Sequence, residues 1–258
     1  MWLLEKKFLH DESYNRLLKS LKNSKTEFCF IDIVPFSEDV DFSLLDKDRT
    51  TFSFGSYTLA KASKKYFKPG AFISDNFRFN VLLEKYGDML LNNDLKVIKI
   101  KELEIEDRMF VRPDDDSKSF TGAIFDKDNF DNWKRKLARI KNNWFSTVKL
   151  DSEVVVSSIK NIDCEIRVFV VNKVPVAFST YKTNYKSNFK KTKVDEDKVL
   201  NFCKNVIDTF NPEEMFVVDL AIVEEEIKII EFNCFNSSGL YGCDTDKIVC
   251  SVNEYLKM

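Results

Sequence analysis

Apolar residues recur with two different periods along the chain. Between Asp11 and Asn23 they fall at Tyr14, Leu17, Leu18 and Leu21, one face of a helix. Phe28 to Val34 and Thr51 to Phe54 read as strands. Gly55-Ser56 opens a helix that runs to about Phe67 and is stopped by Pro69-Gly70. Ala71 to Ser74 reads as a short strand, Phe79 to Leu91 as a helix and Leu95 to Ile100 as a strand. This alternation predicts an α/β unit. From Arg108 the pattern changes to longer strands joined by short turns, which predicts antiparallel pairing. Strands are expected at Arg108 to Arg112, Phe120 to Phe125, Glu153 to Ile159, Glu165 to Val171 and Pro175 to Tyr181. A helix over Asp128 to Lys141 turns Phe130, Trp133, Leu137 and Ile140 inward, and another covers Asp195 to Phe210. Met215 to Val223 and Glu226 to Phe232 form a hairpin, and Asp244 to Leu256 closes the chain as a helix. The charged stretch Lys101 to Asp107 separates the two patterns, which gives domains at 1–105 and 106–258.

Composition narrows the chemistry. With 44% apolar residues, 24 Phe, 6 Gly and 5 Pro in 258 residues, the chain has the make-up of a packed globular protein. Its single histidine, His10, excludes the HExxH zinc helix and paired-histidine catalysis, and no nucleophile elbow accompanies it. His10 reads as a residue just ahead of a helix start. The six cysteines form no CxxC pair and are expected to be reduced and mostly buried. No leader has a signal-peptide layout and no apolar run approaches ~18–20 residues, so a cytoplasmic, membrane-free protein is expected. A net charge of −2 argues against a dedicated nucleic-acid binder.

The strongest chemical signal is the hairpin MFVVDLAIVEEEIKIIEFNCFN. A three-residue loop at Glu224-Glu225-Glu226 would pair Val223 with Ile227, setting Asp219 opposite Glu231 and Val217 opposite Asn233. Two anions facing each other in apolar surroundings are destabilising without a cation. Hard oxygens from Asp219, Glu231 and the Asn233 amide suit magnesium, whose shell nucleotide phosphates commonly complete. The competing reading for Asp219 is an ion pair with a buried arginine. The three loop glutamates read as a solvated turn.

At this hairpin the sequence resembles the ATP-grasp superfamily, in which an Asp on one strand and an E-x-N on the next hold the magnesium of bound ATP. Further pieces follow in family order: the E-x-R strand Glu165-Ile166-Arg167 with its return strand Pro175-Val176-Ala177, and Phe110-Val111-Arg112-Pro113 ahead of a phosphate loop. Val154 to Ser158 falls where the hinge strand offers backbone groups to adenine. Gly55-Ser56-Tyr57 and the R-P-D, K-S-F-T-G and E-x-R segments are similar to phage-associated ATP-grasp proteins. The likeness covers about Arg108 to Leu256. The chain departs from it in the loop Asp114 to Gly122, which holds a single glycine.

The resemblance implies an ATP-grasp fold of the α+β class: two α+β subdomains clasping ATP, preceded by a small α/β N-terminal domain. It implies that Arg112, Lys118, Ser119, Thr121 and Gly122 contact phosphate, and that Val156, Ser157 and Glu165 complete the nucleotide site. Arg167, with Lys118, would stabilise charge on the transferring phosphoryl or acyl-phosphate oxygen, and Asp219, Glu231 and Asn233 would bind magnesium. Asp114 to Asp116 are expected to face solvent or the substrate amine. A same-strand ion pair is the alternative for Glu165 and Arg167. Asn236 to Gly242 reads either as a backbone site for a substrate carboxylate or as a plain strand-to-helix turn. The implied function is an ADP-forming carboxylate–amine (or thiol) ligase using ATP and Mg2+. The alternative is a non-catalytic nucleotide- or nucleic-acid-binding protein that uses the basic, aromatic loop from Tyr181 to Lys193.

Overall fold

The computed structural model describes residues 1–34, 40–114, 119–139, 148–183, the backbone of 186–187, and 194–257. The chain forms two compact units: Met1–Ser74 with Ile162–Met258, and Asp75–Asn161. The boundary expected near residue 105 falls inside the second unit, because strands on either side of it share one sheet.

The first unit begins with β1 (Trp2–Glu5), α1 (Glu12–Asn23), β2 (Phe28–Ile31), β3 (Thr51–Phe54), α2 (Tyr57–Tyr66) and β4 (Pro69–Gly70). The order is β2-β1-β3-β4 and all pairings are parallel, as helix–strand alternation requires. β1 escaped the sequence reading because every one of its residues is buried, so no polar–apolar alternation marks it. The strand expected at Ala71 to Ser74 is instead the two-residue β4, where Pro69 opens an edge strand that does not need its missing N–H. α1 starts where Asp11 accepts hydrogen bonds from the Ser13 and Tyr14 N–H groups, and α2 where Ser56 accepts from Leu59. His10 ends a 3-10 turn ahead of α1.

The second unit contains α3 (Phe79–Tyr86), β5 (Lys96–Lys99), β6 (Met109–Pro113), β7 (Ala123–Phe125), α4 (Lys127–Arg139) and β8 (Glu153–Ser157). Its antiparallel sheet has the order β5-β8-β6-β7. Ile100, Leu103, Ile105, Val111, Phe130, Val154 and Val156 form its core. α3 stops short of the expected Leu91 because Gly87, at φ 48°, turns the chain into a 3-10 segment.

The chain then returns to the first unit with β9 (Cys164–Val171), β10 (Val174–Thr183), β11 (Lys186–Ser187), α5 (Glu196–Thr209), β12 (Met215–Val223), β13 (Glu226–Cys234) and α6 (Thr245–Leu256). These strands make an antiparallel sheet, β11-β10-β9-β12-β13. Phe169, Val171, Ala177, Met215 and Val217 share an apolar core with Trp2, Leu17, Leu21, Ile248 and Val252. Each such side chain contributes ~1.5–3 kcal/mol on burial. This core fixes one face of the sheet, and the polar residues of the candidate site continue the same face by period two. Four of the six cysteines are buried, Cys29 is half-buried, Cys250 is exposed, and all are free thiols.

Candidate functional site

The two acids meet, but by a different route from the one the sequence suggested. The hairpin turn has two residues, Glu224 and Glu225, at φ 50° and 69°, and Val223 pairs with Glu226. Positive φ at both central positions gives a turn whose twist matches that of the strands. This register alone would put Asp219 opposite Ile230. A bulge between Asp219 and Leu220 absorbs one residue of β13, so Asp219 faces Glu231 and Val217 faces Asn233.

On the other side of β12, Asp219 pairs with Arg167 of β9, which in turn pairs with Ser179 of β10. Ser179, Arg167, Asp219 and Glu231 thus form a row across four strands. Asp219 is fully buried. Arg167 grips it with a two-pronged fork, Nε to Oδ1 at 2.8 Å and Nη2 to Oδ2 at 2.7 Å. Asn233 Nδ2 donates to Asp219 Oδ2 at 3.2 Å, and Arg167 Nη1 donates to the Gly239 carbonyl at 3.1 Å. Three of the five guanidinium N–H groups are therefore used, and the other two have no partner among the described residues. Burial is the largest influence on the Arg167 pKa and lowers it, but the Asp219 charge, the hydrogen bonds to Asp219 and the neighbouring Tyr241 and Tyr181 together raise the value, which keeps the guanidinium charged.

The ion pair weighed against metal binding is therefore present at Asp219. The alternative of a same-strand pair between Glu165 and Arg167 is not what forms: Glu165 pairs with Lys182 at 2.7 Å, leaving Arg167 to Asp219. Tyr181 lies beside these groups with its pKa raised, by burial first and then by the Asp219 and Glu165 charges.

Magnesium fits this row. Asp219, Glu231 and Asn233 bring hard oxygen donors into or beside one row, the donor type that magnesium prefers. Asn233 uses its amide nitrogen toward Asp219, which leaves its carbonyl oxygen as the atom that could meet a cation. No group of three His, Cys, Asp or Glu side chains that could hold a metal occurs among the described residues.

In the second unit, the Arg112 guanidinium lies 4.5 Å from the Phe79 ring centroid. Gly122 comes so close to β6 that an added Cβ would sit 2.7 Å from Phe110 Cζ and 3.1 Å from Arg112 Cβ. A side chain there would have to displace the Phe110 ring, so packing alone favours glycine. Asp114 corrects the solvent-facing expectation: it is 3% exposed, pairs with Arg78 at 2.6 Å and accepts from the Phe79 N–H at the start of α3. Its contacts with Arg78 and with the N-terminus of α3 hold it inward, which the acidic run DDD did not reveal. Val156 is a core residue paired on both sides, with Lys96 and Val111. Ser157 pairs on one side only. Its hydroxyl is buried and has no hydrogen-bond partner among the described residues. Ser119 is half-buried and Thr121 is exposed, while Lys118, Asp115 and Asp116 lie outside the described residues. So do Tyr185, Phe189, Lys190, Lys191 and Lys193 and the side chain of Lys186 from the basic loop.

The sequence reading singles out neither Glu5 nor Arg16, and takes Asn236 only as the start of the Asn236 to Gly242 segment. Glu5 is fully buried and accepts from the Ser56 N–H at 2.7 Å. An added Cβ on Gly55 would lie 2.7 Å from Glu5 Cβ, which accounts for that glycine. Asn236 bridges the Ser53 carbonyl (2.6 Å) and the Phe72 N–H (2.8 Å), tying the end of β13 to the parallel sheet. Its position in a buried polar run is the only sequence signal it carries. Arg16 donates to the Tyr241 carbonyl.

The fold agrees with what known proteins show. Residues 92–250 match a family model described as an ATP-grasp domain, the second family of its clade. The chain therefore belongs to the ATP-grasp family, whose members use ATP and typically Mg2+. Among solved structures, D-alanine–D-alanine ligase from Bacillus anthracis complexed with ATP is similar at TM-score 0.62 and 12% identity, over 100% of this chain and 97% of that one. A RimK domain protein ATP-grasp from Sphaerobacter thermophilus is similar at TM-score 0.60 and 10% identity, over 99% and 96%. The ATP-grasp ligase PsnB complexed with minimal precursor gives TM-score 0.56 at 9% identity, over 98% of each chain. No curated protein matches the sequence. At these identities the structures establish the fold, which is ATP-grasp and of the α+β class as expected. No helix among the described residues is long and apolar enough to cross a membrane.

Proposed function

We propose that the protein is an ATP- and Mg2+-dependent ligase that activates a carboxylate as an acyl phosphate, releases ADP and joins the acyl group to an amine. The observation that carries this reading is the Arg167–Asp219–Glu231 row: a buried, pre-oriented cation with two N–H groups to spare, beside a hard-oxygen donor set. Asp219, Glu231 and the Asn233 carbonyl would hold magnesium, which neutralises phosphate charge when bound. The spare N–H groups of Arg167 would stabilise the transferring γ-phosphoryl and then the acyl-phosphate oxygens. Positioning and charge neutralisation are what phosphoryl transfer asks of a protein, which suits a chain with one histidine.

Glu165 would serve the ribose hydroxyls, and Arg112, Lys118, Ser119, Thr121 and Gly122 would serve phosphate. Val156 and Ser157 would serve adenine, with the unpartnered Ser157 hydroxyl offering a buried hydrogen-bonding group. A cavity of about 90 Å3 lined by Phe8, Ser13, Tyr14, Phe54, Ser238 and Gly239 has room for the small polar end of a substrate. The test is ADP release screened over amino acids and short peptides as paired carboxylates and amines. A hit must require Mg2+ and disappear in Glu231→Gln. Turnover that persists in Glu231→Gln, or nucleic-acid affinity with no nucleotide requirement, would overturn the reading.

A further inference from the structure

Tyr241 stands out among the residues following β13. It adopts φ 44°, a left-handed conformation that is unfavourable for an aromatic residue and persists only where surrounding contacts hold it. Those contacts lead to the site. Its ring stacks on Tyr181 with centroids 4.6 Å apart and planes 7° from parallel. The Arg167 guanidinium lies 4.7 Å from the Tyr241 centroid and 5.4 Å from that of Tyr181. On the other side, the Tyr241 carbonyl accepts from Arg16 of α1. The neighbouring Gly239 carbonyl accepts from Arg167 itself. Arg167 is thus held in its plane by Asp219 and Gly239 and flanked by aromatic rings.

We propose that Tyr241 and Arg16 are positioning residues for Arg167. Arg16 secures the strained turn at Tyr241, and the Tyr241 ring fixes the orientation of the guanidinium, so that its two uncommitted N–H groups keep one direction. A guanidinium held only by Asp219 could still swing about that fork; the ring and the Gly239 carbonyl remove this freedom. α1 thereby reaches Arg167 through Tyr241. The proposal rests on the ligase reading for what Arg167 does, but not for how Arg167 is held.

The experiment measures hydrogen exchange of the Arg167 Nε–H by 15N NMR, with the signal assigned by its loss in Arg167→Lys. The wild-type signal should exchange more slowly than that of an exposed arginine such as Arg135. Tyr241→Ala and Arg16→Ala should speed exchange by about 2- to 30-fold, the range a cation–π contact supports. Tyr241→Phe, which keeps the ring, should match wild type. Tyr241→Gly removes the ring and relieves the backbone, so it must loosen Arg167 as Tyr241→Ala does even if the alanine variant folds poorly. Binding of Mg-AMPPNP, followed by calorimetry, should weaken over the same range in the ring-deleted variants and recover in Tyr241→Phe. An undetectable wild-type signal, unchanged exchange in folded Tyr241→Gly, or a Tyr241→Phe variant as loose as Tyr241→Ala would overturn the proposal. If exchange responds as expected while Mg-AMPPNP binds wild type and Asp219→Asn equally, the positioning holds and the nucleotide reading fails.

Discussion

Replacing Arg167 by methionine separates the electrostatic role of the row from its packing. Methionine fills much of the same volume but leaves the Asp219 carboxylate fully buried, with Glu231 opposite it and one amide donor from Asn233. Removing one partner of such a pair costs ~3–5 kcal/mol, because the remaining charge has lost its compensation. In a domain of this size 1 kcal/mol moves the Tm by ~2–4 °C, so a drop of about 6–20 °C is expected. Asp219→Leu should cost a similar amount by stranding the guanidinium. The double variant should be far less destabilised than the sum of the two, with a coupling energy of at least ~3 kcal/mol. Urea denaturation of the four proteins closes the cycle, and Mg2+ should restore more stability to Arg167→Met than it adds to wild type. A single-variant loss below ~1 kcal/mol, or additive losses in the double variant, would refute the claim that this pair is a tightly coupled buried unit.

Other perturbations test the surrounding structure. Leu21→Ala on the buried face of α1 should cost ~2–5 kcal/mol in urea denaturation. Gly55→Ala places a methyl against Glu5 and should lower the thermal midpoint; Gly87→Ala should lower it too, through backbone strain alone, since Gly87 sits at φ 48° and ψ −118° with nothing within 4 Å of an added Cβ. Asp11→Ala removes the α1 cap and should cost ~1 kcal/mol at neutral pH. The Ser13 hydroxyl, ahead of the backbone N–H groups, lowers the Asp11 pKa below its ordinary 3.8. Its stabilising contribution is therefore complete above about pH 4 and lost as pH falls through the folded value, so Asp11→Ala should show a shallower acid limb in a stability–pH series.

Local signals carried much of the architecture. Thr51–Phe54 and Met215–Val223 form over the expected residues, since β-branched and aromatic runs bounded by turn residues have few alternatives. The Asp219–Glu231 and Val217–Asn233 pairs were legible, yet they arise from a two-residue turn plus a bulge, not from a three-residue loop. Both routes give the same parity, and no local sequence feature marks the bulge. What stayed hidden depends on contacts between distant residues. Nothing near Arg167 in sequence says that it faces Asp219 and not Glu165. Asp114 looked like part of a solvated acidic run until Arg78 and the α3 N-terminus claimed it. The division into units was equally invisible, because β5 finds its partner β8 more than fifty residues along the chain.

Calorimetric titration with AMPPNP in the presence and absence of Mg2+ tests the central claim most directly. Wild type should bind the nucleotide with a marked Mg2+ dependence, and Glu231→Gln, which removes a ligand charge at a half-exposed position and leaves the buried Arg167–Asp219 pair in place, should lose that dependence while keeping its thermal midpoint. Equal nucleotide affinity with and without Mg2+, or a Glu231→Gln variant indistinguishable from wild type, would contradict it.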